Sequence, residues 1–393
     1  MKNIKRVILI VLDSVGIGEM PDSEKYGDKG SNTLRACFKT GKLTMPNMQR
    51  LGLFNIDGID FGEKHPSPEG CFGRMTEASD GKDTTIGHWE IAGIISEKPL
   101  PTYPDGFPES LISEFERKTG RKVICNKPYS GTKLLEDFGE EHIKTGALIV
   151  YTSADSVWQI AAHEDIVPVE KLYEYCEIAR EMLKGEHNVG RVIARPFTGT
   201  YPDFKRTSNR HDFSLLPPER TFLDDIMSEG LETIAVGKIF DIFAGQGLTR
   251  TARTTNNSDG MRKTIEHIKG EWNGLCFVNL VDFDMAFGHR NDAEGYTKAL
   301  NEFDEELGEL IPLLRDEDVL MITADHGCDP STESTDHSRE YTPLIVYGRS
   351  IKSGVSLGTR GAFSDIGATV ADMLGIKTGI KGTSFKSQIL RQE

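Results

Sequence analysis

Six residues with metal-ligand chemistry stand at or beyond the ends of apolar runs. Asp13 closes RVILIVLD (6–13), Asp284 and His289 form D-x-x-x-x-H at the end of LCFVNLVDFD (275–284), and Asp325 and His326 follow VLMIT in VLMITADHG (319–327). His337 comes eleven residues after His326, in TDHSRE. Carboxylates favour hard cations and imidazole suits first-row transition metals, so the mixture points to manganese, zinc or iron more than to calcium. Three carboxylates and three imidazoles are enough for two ions sharing one site. A two-ion centre clamps the oxygens of an in-line displacement, which is the chemistry of phosphoryl transfer. A single strand-end aspartate is more often a cap or a turn former than a ligand. Three separate strand ends that each present ligand types are not explained that way without several coincidences.

Such a centre lacks only a nucleophile, and GKDTTIGHWE (81–90) offers two adjacent hydroxyls, Thr84 and Thr85. A threonine hydroxyl is weak at its free pKa and becomes competent beside a metal. Taken alone, the stretch reads equally well as a helix N-cap, and spacing does not choose between the threonines. Neighbouring features carry less. The GIG of VGIGEMPDS lacks a full G-x-G-x-x-G and reads as a tight turn. Ser14 reads as a helix N-cap, His88 and Trp89 as supports for the threonine loop, and Cys328, beside a proposed ligand, as a passive small residue.

The elements that must position these residues are strands. RVILIVLD is the continuous apolar run of a parallel strand buried on both faces, and the pattern returns in LCFVNLVDFD, VLMITADHG and PLIVYG (343–348). GYTKALNEFDEELGELIPLLR, with apolar residues three and four apart, supplies a crossover helix between the second and third runs. This predicts an α/β fold with a doubly wound core sheet, whose ligands gather at the carboxyl ends of the strands. The middle of the chain has another texture, with strands ALIVYTSAD and GRVIARPF, a helix around VEKLYEYCEIAREMLK and a turn-rich tail. It reads as a smaller α/β cap domain, 101–215, inserted into a metal-binding core domain formed by 1–100 and 216–393. Between residues 190 and 211 this insert concentrates Arg191, Arg195, Lys205, Arg206, Arg210 and His211, a setting suited to phosphate because guanidinium donors come in pairs.

Bulk properties exclude other classes. With 46 Lys and Arg against 61 Asp and Glu, the formal charge of -15 argues against nucleic acid or an anionic membrane as the main partner. Six scattered cysteines, none in C-x-x-C, indicate neither a disulfide framework nor a zinc knuckle and fit a reducing cytoplasm. The first apolar run is too short to span a bilayer. No heptad or long apolar surface helix is evident, so a monomer is expected.

End to end, the chain resembles the prokaryotic, metal-dependent phosphopentomutases of the alkaline phosphatase superfamily. The resemblance rests on VLDSVGIGEMPD, GKDTTIGHWE, YTSADSVWQIAAHE, GRVIARPF, NRHDF, NLVDFDMAFGHR and ITADHGCDPSTESTDHSREYTPL. It implies an alkaline phosphatase-like core and two Mn2+ ions, one held by Asp13, Asp325 and His326 and the other by Asp284, His289 and His337. The family pattern GKDT-x-x-GHWE makes Thr84 the nucleophile, and Thr85 falls where the pattern has an apolar residue. The D-x-x-x-x-H spacing selects Asp284 over Asp282. The resemblance further implies that Asp155 and Val157 contact the sugar, that Arg191, Arg210 and Lys238 bind phosphate, and that Ile193 lines the pocket. The implied reaction interconverts ribose 1-phosphate and ribose 5-phosphate, and the deoxyribose equivalents, through a phosphothreonine and a bisphosphate. Glucose 1,6-bisphosphate or ribose 1,5-bisphosphate would be the primer, and the activity would join nucleoside breakdown to the pentose phosphates. The alternative is a phosphatase or another phosphomutase of the superfamily, such as a phosphoglycerate mutase, whose nucleophile is serine and whose insert lacks the SADSV and GRVIARPF pairing.

Overall fold

Buried β-branched runs set the framework of the computed structural model, which describes residues 4–131, 133–153 and 155–391. The chain begins with β1 (Arg6–Leu12) and β2 (Cys71–Met75). The middle supplies β3 (Val123–Pro128), β4 (Leu148–Thr152), β5 (Val157–His163), β6 (Arg191–Thr198), β7 (Lys205–Arg206) and β8 (His211–Ser214). The last part supplies β9 (Glu232–Val236), β10 (Arg250–Ala252), β11 (Gly274–Leu280), β12 (Asp318–Thr323), β13 (Thr342–Tyr347) and β14 (Ser356–Arg360). Two compact units result: Met1–Pro99 with Pro217–Glu393, and Leu100–Leu216.

The larger unit is built on an eight-stranded sheet ordered β10-β9-β11-β1-β12-β13-β2-β14. The five strands from β10 to β12 are parallel. β1 and β11, at the centre, are buried along their whole length, which is why they read as unbroken apolar runs. The crossover helix expected between β11 and β12 spans Ala293–Leu310 and buries Tyr296, Leu300, Phe303, Leu307 and Leu310 in the core. Arg6 opens β1 fully buried, with its guanidinium paired to the Asp318 carboxylate at 2.7 and 2.5 Å and bonded to the carbonyls of Ile268 and Gly270. Removing one member of such a pair strands the other charge and costs about 3–5 kcal/mol.

Three expectations need correction. The run PLIVYG is not a parallel strand, since β13 pairs antiparallel with both β12 and β2. A strand buried on both faces has the same composition in either direction, so periodicity cannot report its sense. The run LCFVNLVDFD is strand only to Leu280. Residues Phe283–Phe287 then form a π turn, followed by a short 3-10 turn at Gly288–Arg290, so Asp284 stands beyond the strand. Ser14 starts no helix. Its backbone takes a left-handed φ of 68°, its N–H donates to Asp325 Oδ1 at 3.0 Å, and its hydroxyl meets the Tyr296 hydroxyl.

The smaller unit has a six-stranded mixed sheet in which β3 to β7 follow in order and β8 pairs β6. β5 pairs parallel with β6 and antiparallel with β4. Its side chains alternate between two cores: Trp158, Ile160 and Ala162 pack with the helices Glu109–Thr119 and Val169–Met182, and Ala161 packs with Ile149, Phe197 and Leu134 on the other face. Taken together, the molecule is the α/β fold expected, with a doubly wound core sheet and a smaller α/β unit within the chain. Among the described residues no helix is long and apolar enough to cross a membrane.

Candidate metal centre

The direction of each strand decides what meets at one edge of the larger sheet. The carboxyl ends of β1, β11 and β12 deliver Asp13, Asp284 and the pair Asp325–His326. Because β13 runs the other way, its amino end lies at the same edge, and His337, five residues before β13, comes with it. β2 is antiparallel to β13, so its carboxyl end also points there and leads into the loop that carries Thr84.

Asp13, Asp325 and His326 are buried together, with ligand atoms within 4.8 Å of one another. His326 Nε2 lies 3.4 Å from both Asp13 Oδ1 and Asp325 Oδ2. Asp284 is 3.2 Å from His289 Nε2 through Oδ2 and 3.3 Å from His337 Nε2 through Oδ1, and the two Nε2 atoms are 3.2 Å apart. Asp284 lies in the π turn and His289 in the 3-10 turn that follows it, and these two tight turns bring the members of D-x-x-x-x-H together. The structure also separates the two aspartates of VDFD. Asp282 is engaged with Asn257, accepting its N–H at 2.8 Å and donating its own N–H to Asn257 Oδ1.

Ring tautomers are preset for ligation. His326 Nδ1–H donates to the Gly327 carbonyl and His289 Nδ1–H to the Thr335 carbonyl, so each ring turns Nε2 toward the carboxylates. Asp284 Oδ1 and Asp325 Oδ2 are shut away from solvent without a hydrogen-bond partner among the described residues. Orphaned carboxylate oxygens facing imidazole nitrogens are the donor set a dication satisfies. The electrostatics agree. Burial alone would lower the His326 pKa, but Asp325 and Asp13 outweigh it and hold the ring well above its ordinary value. Burial, and then the Asp325 charge, raise Asp13. Burial opposes ionisation of Asp284, yet His337 and His289 hold it well below the usual carboxylate range.

Thr84 opens the helix Thr84–Ile91, with Asp83 as its N-cap accepting the N–H groups of Thr85 and Ile86. Thr84 Oγ1 is 3.2 Å from His326 Nε2 and 3.5 Å from Asp13 Oδ1. Among the described residues no hydrogen bond holds the Thr85 side chain to these ligands. Gly87 permits this placement, since a Cβ there would fall 2.3 Å from the Asp325 carbonyl oxygen. His88 is wholly buried, donates from Nδ1 to the Thr84 carbonyl at 2.8 Å and lies 3.1 Å from Asp325 Oδ2.

Sequence reasoning missed several supports. Asn279 on β11 donates from Nδ2 to Asp13 Oδ2 at 2.8 Å and to His88 Nε2 at 3.3 Å. Glu340 is buried and gathers the N–H groups of Gly18 and Thr33 with the hydroxyls of Thr33 and Ser338, tying together the segments around Asp13, His326 and His337. Arg339 donates to Glu77 and the Gly81 carbonyl, anchoring the loop before Thr84. An amide inside the apolar run LCFVNLV was a readable signal, because a buried polar group demands a partner.

Of the predicted substrate residues, Lys238 lies in the larger unit, two residues beyond β9. The other five gather in the smaller one. Val157 and Arg191 are register partners on β5 and β6, and Ile193 is opposite Gln159 and Asp212. Arg191 donates to Asp155 Oδ2 at 3.3 Å and lies 3.6 Å from Asp212, which also holds Arg210 through two bonds of 2.8 Å. Arg195 bonds Gln159, and burial lowers its pKa to about 10, which leaves it charged at neutral pH.

A family model described as the metalloenzyme superfamily matches residues 5–378. A phosphopentomutase of Lachnoclostridium phytofermentans is 60% identical over 390 residues, covering 99% of this chain and 100% of that protein. A phosphopentomutase of Carboxydothermus hydrogenoformans is 58% identical over 387 residues, 98% of this chain and 100% of that protein. Among solved structures, the PH0037 protein from Pyrococcus horikoshii shares the fold, with a TM-score of 0.50 at 14% identity over 97% of this chain and 100% of its own.

Proposed function

The chain belongs to the phosphopentomutase family of the metalloenzyme superfamily, and on that premise we propose that it interconverts ribose 1-phosphate and ribose 5-phosphate, with the 2-deoxyribose pair as second substrates. It is an enzyme of the isomerase type that works by phosphotransfer. The observation that carries the reading is the position of Thr84, whose hydroxyl stands at a helix N-terminus against Asp13 and His326.

The donor set fits two divalent ions, manganese by its mixture of carboxylate and imidazole, with Asp13, Asp325 and His326 holding one and Asp284, His289 and His337 the other. When bound they would polarise the Thr84 hydroxyl and offset charge on a phosphoryl group. The chain's own residues do the rest. Thr84 carries the phosphoryl group, and the amide groups of its helix favour the added negative charge. Asp83 aligns that helix and His88 fixes the Thr84 carbonyl. Thr84 passes its phosphoryl to the free hydroxyl of a bound pentose phosphate, and the resulting 1,5-bisphosphate returns the other phosphoryl to Thr84. Arg191, Arg210 and Lys238 serve phosphate binding, Asp155 and Val157 contact the sugar, and Ile193 lines the pocket. The smaller unit, residues 101–215, serves as a cap that denies water to the phosphothreonine. A bisphosphate such as glucose 1,6-bisphosphate or ribose 1,5-bisphosphate primes Thr84, and the enzyme is a cytoplasmic monomer linking nucleoside breakdown to the pentose phosphates.

The test is an assay of purified protein with manganese and glucose 1,6-bisphosphate. Ribose 5-phosphate should form from ribose 1-phosphate. Release of inorganic phosphate instead would make the protein a phosphatase.

A further inference from the structure

Cys328 is a chain position whose chemistry the proposed reaction does not use. It is 1% exposed, and its Sγ lies within 4.8 Å of a ligand atom of Asp284 and one of His289, while those two atoms are equally close to each other. A second observation makes this more than a cysteine near a site: Asp284 is 5% exposed, and its Oδ1 has no hydrogen-bond partner among the described residues. His289 spends its Nδ1–H on the Thr335 carbonyl and so presents Nε2, 3.2 Å from Asp284 Oδ2. Gly288 leaves room for the thiol, since a Cβ at that position would come 2.9 Å from Sγ. The thiol donates to the Asp336 carbonyl at 3.6 Å, a weak bond that is lost at small cost.

We propose that Cys328 is a thiolate ligand for thiophilic cations, zinc, cadmium or cobalt(II), at the ion position formed by Asp284, His289 and His337. This rests on the two-ion reading above and adds a selectivity to it. With manganese the donors are one carboxylate and two imidazoles, and the sulfur stays a thiol. With a softer ion the Cys328 thiol gives its proton to solvent as the sulfur–metal bond forms, and the donor set becomes one oxygen, two nitrogens and one sulfur, within the range that zinc-class ions favour. The position therefore takes zinc more tightly than carboxylate and imidazole alone would.

The experiment uses the full chain stripped by chelator and titrated with cadmium chloride, then with cobalt chloride, following the ultraviolet sulfur-to-metal charge-transfer band while bound metal is counted by atomic emission. The expected result is two ions bound with a band that disappears in Cys328→Ser and in Cys328→Ala at unchanged stoichiometry. Zinc affinity in both variants should fall at least about tenfold, with manganese affinity little changed. Two cadmium ions bound with no band, or a band that survives both substitutions, would overturn the role of Cys328 and leave the two-ion centre standing. Failure of the stripped protein to bind either cadmium or manganese would remove the centre itself, and the proposal with it.

Discussion

The two units present site residues of opposite charge in opposite states of readiness. At the edge of the larger sheet, three carboxylates and the imidazoles of His326 and His337 are almost fully buried, the tautomers of His326 and His289 are set by backbone carbonyls, and Asp284 Oδ1 and Asp325 Oδ2 have no hydrogen-bond partner among the described residues. On the smaller sheet, Arg191 and Arg210 are partly exposed and already neutralised by Asp155 and Asp212. An acidic site of the first kind is incomplete until cations arrive. A basic site of the second kind is self-satisfied, and the phosphate proposed to bind there would have to compete with internal carboxylates. Chemistry and recognition should therefore fail in different kinetic constants when each unit is damaged.

The largest effect belongs to the proposed nucleophile. Thr84→Ala should lower kcat by on the order of 10^4-fold or more and leave no phosphothreonine detectable by mass spectrometry after priming. Thr85→Val should stay within about twofold of the parent, because the amide that Thr85 donates to the N-cap Asp83 is kept and, among the described residues, no hydrogen bond joins its hydroxyl to the ion ligands. If the two outcomes were exchanged, the register of the motif would be wrong by one residue.

Next comes a support of the acidic site. Asn279→Ala removes the donor shared by Asp13 and His88, and kcat should fall about 10- to 100-fold with KM for ribose 5-phosphate nearly constant. A melting curve close to the parent's would exclude collapse of the sheet as the cause. On the opposite unit, Arg191→Ala should do the reverse, raising KM about tenfold with a smaller change in kcat, as expected for loss of a charged hydrogen bond to phosphate. A kcat effect from Arg191 as large as that from Asn279 would erase the division of labour.

These supports also mark where the chain's sequence is readable and where it is not. Asp13, Asp325 and His326 stand out because strand ends are visible as the close of an apolar run, and the edge at which they meet follows from the parallel order of β1, β11 and β12. The position of His337 depends on β13 running backwards, which composition does not encode. Asp284 and His289 can be paired from their spacing, but the successive π and 3-10 turns that carry them are backbone features without a residue signature. Ser14 shows the limit most plainly: a serine after a strand-end aspartate suggests a cap, whereas the chain uses a left-handed backbone there to aim an N–H at Asp325. In the insert, β5 follows directly on a recognisable motif and was obscured by it, although its alternation of Trp158, Ile160 and Ala162 against Gln159, Ala161 and His163 is regular.

The smallest effect tests the self-neutralised face itself. Asp212 accepts two bonds from Arg210 and stands 3.6 Å from Arg191, so it is the carboxylate a phosphate would have to displace. Asp212→Asn keeps the shape and a neutral acceptor while removing the charge. If Asp212 acts mainly as an internal competitor, KM for ribose 5-phosphate should fall about two- to fivefold at low salt, the range set by the strength of partly exposed ion pairs, and the gain should fade as salt screens the uncovered guanidinium groups. A KM that rises, and does so equally at low and high salt, would mean that Asp212 is a strut holding the two arginines in place. The smaller unit would then resemble the larger one, a preset site whose charges are fixed by their own scaffold before any ligand arrives.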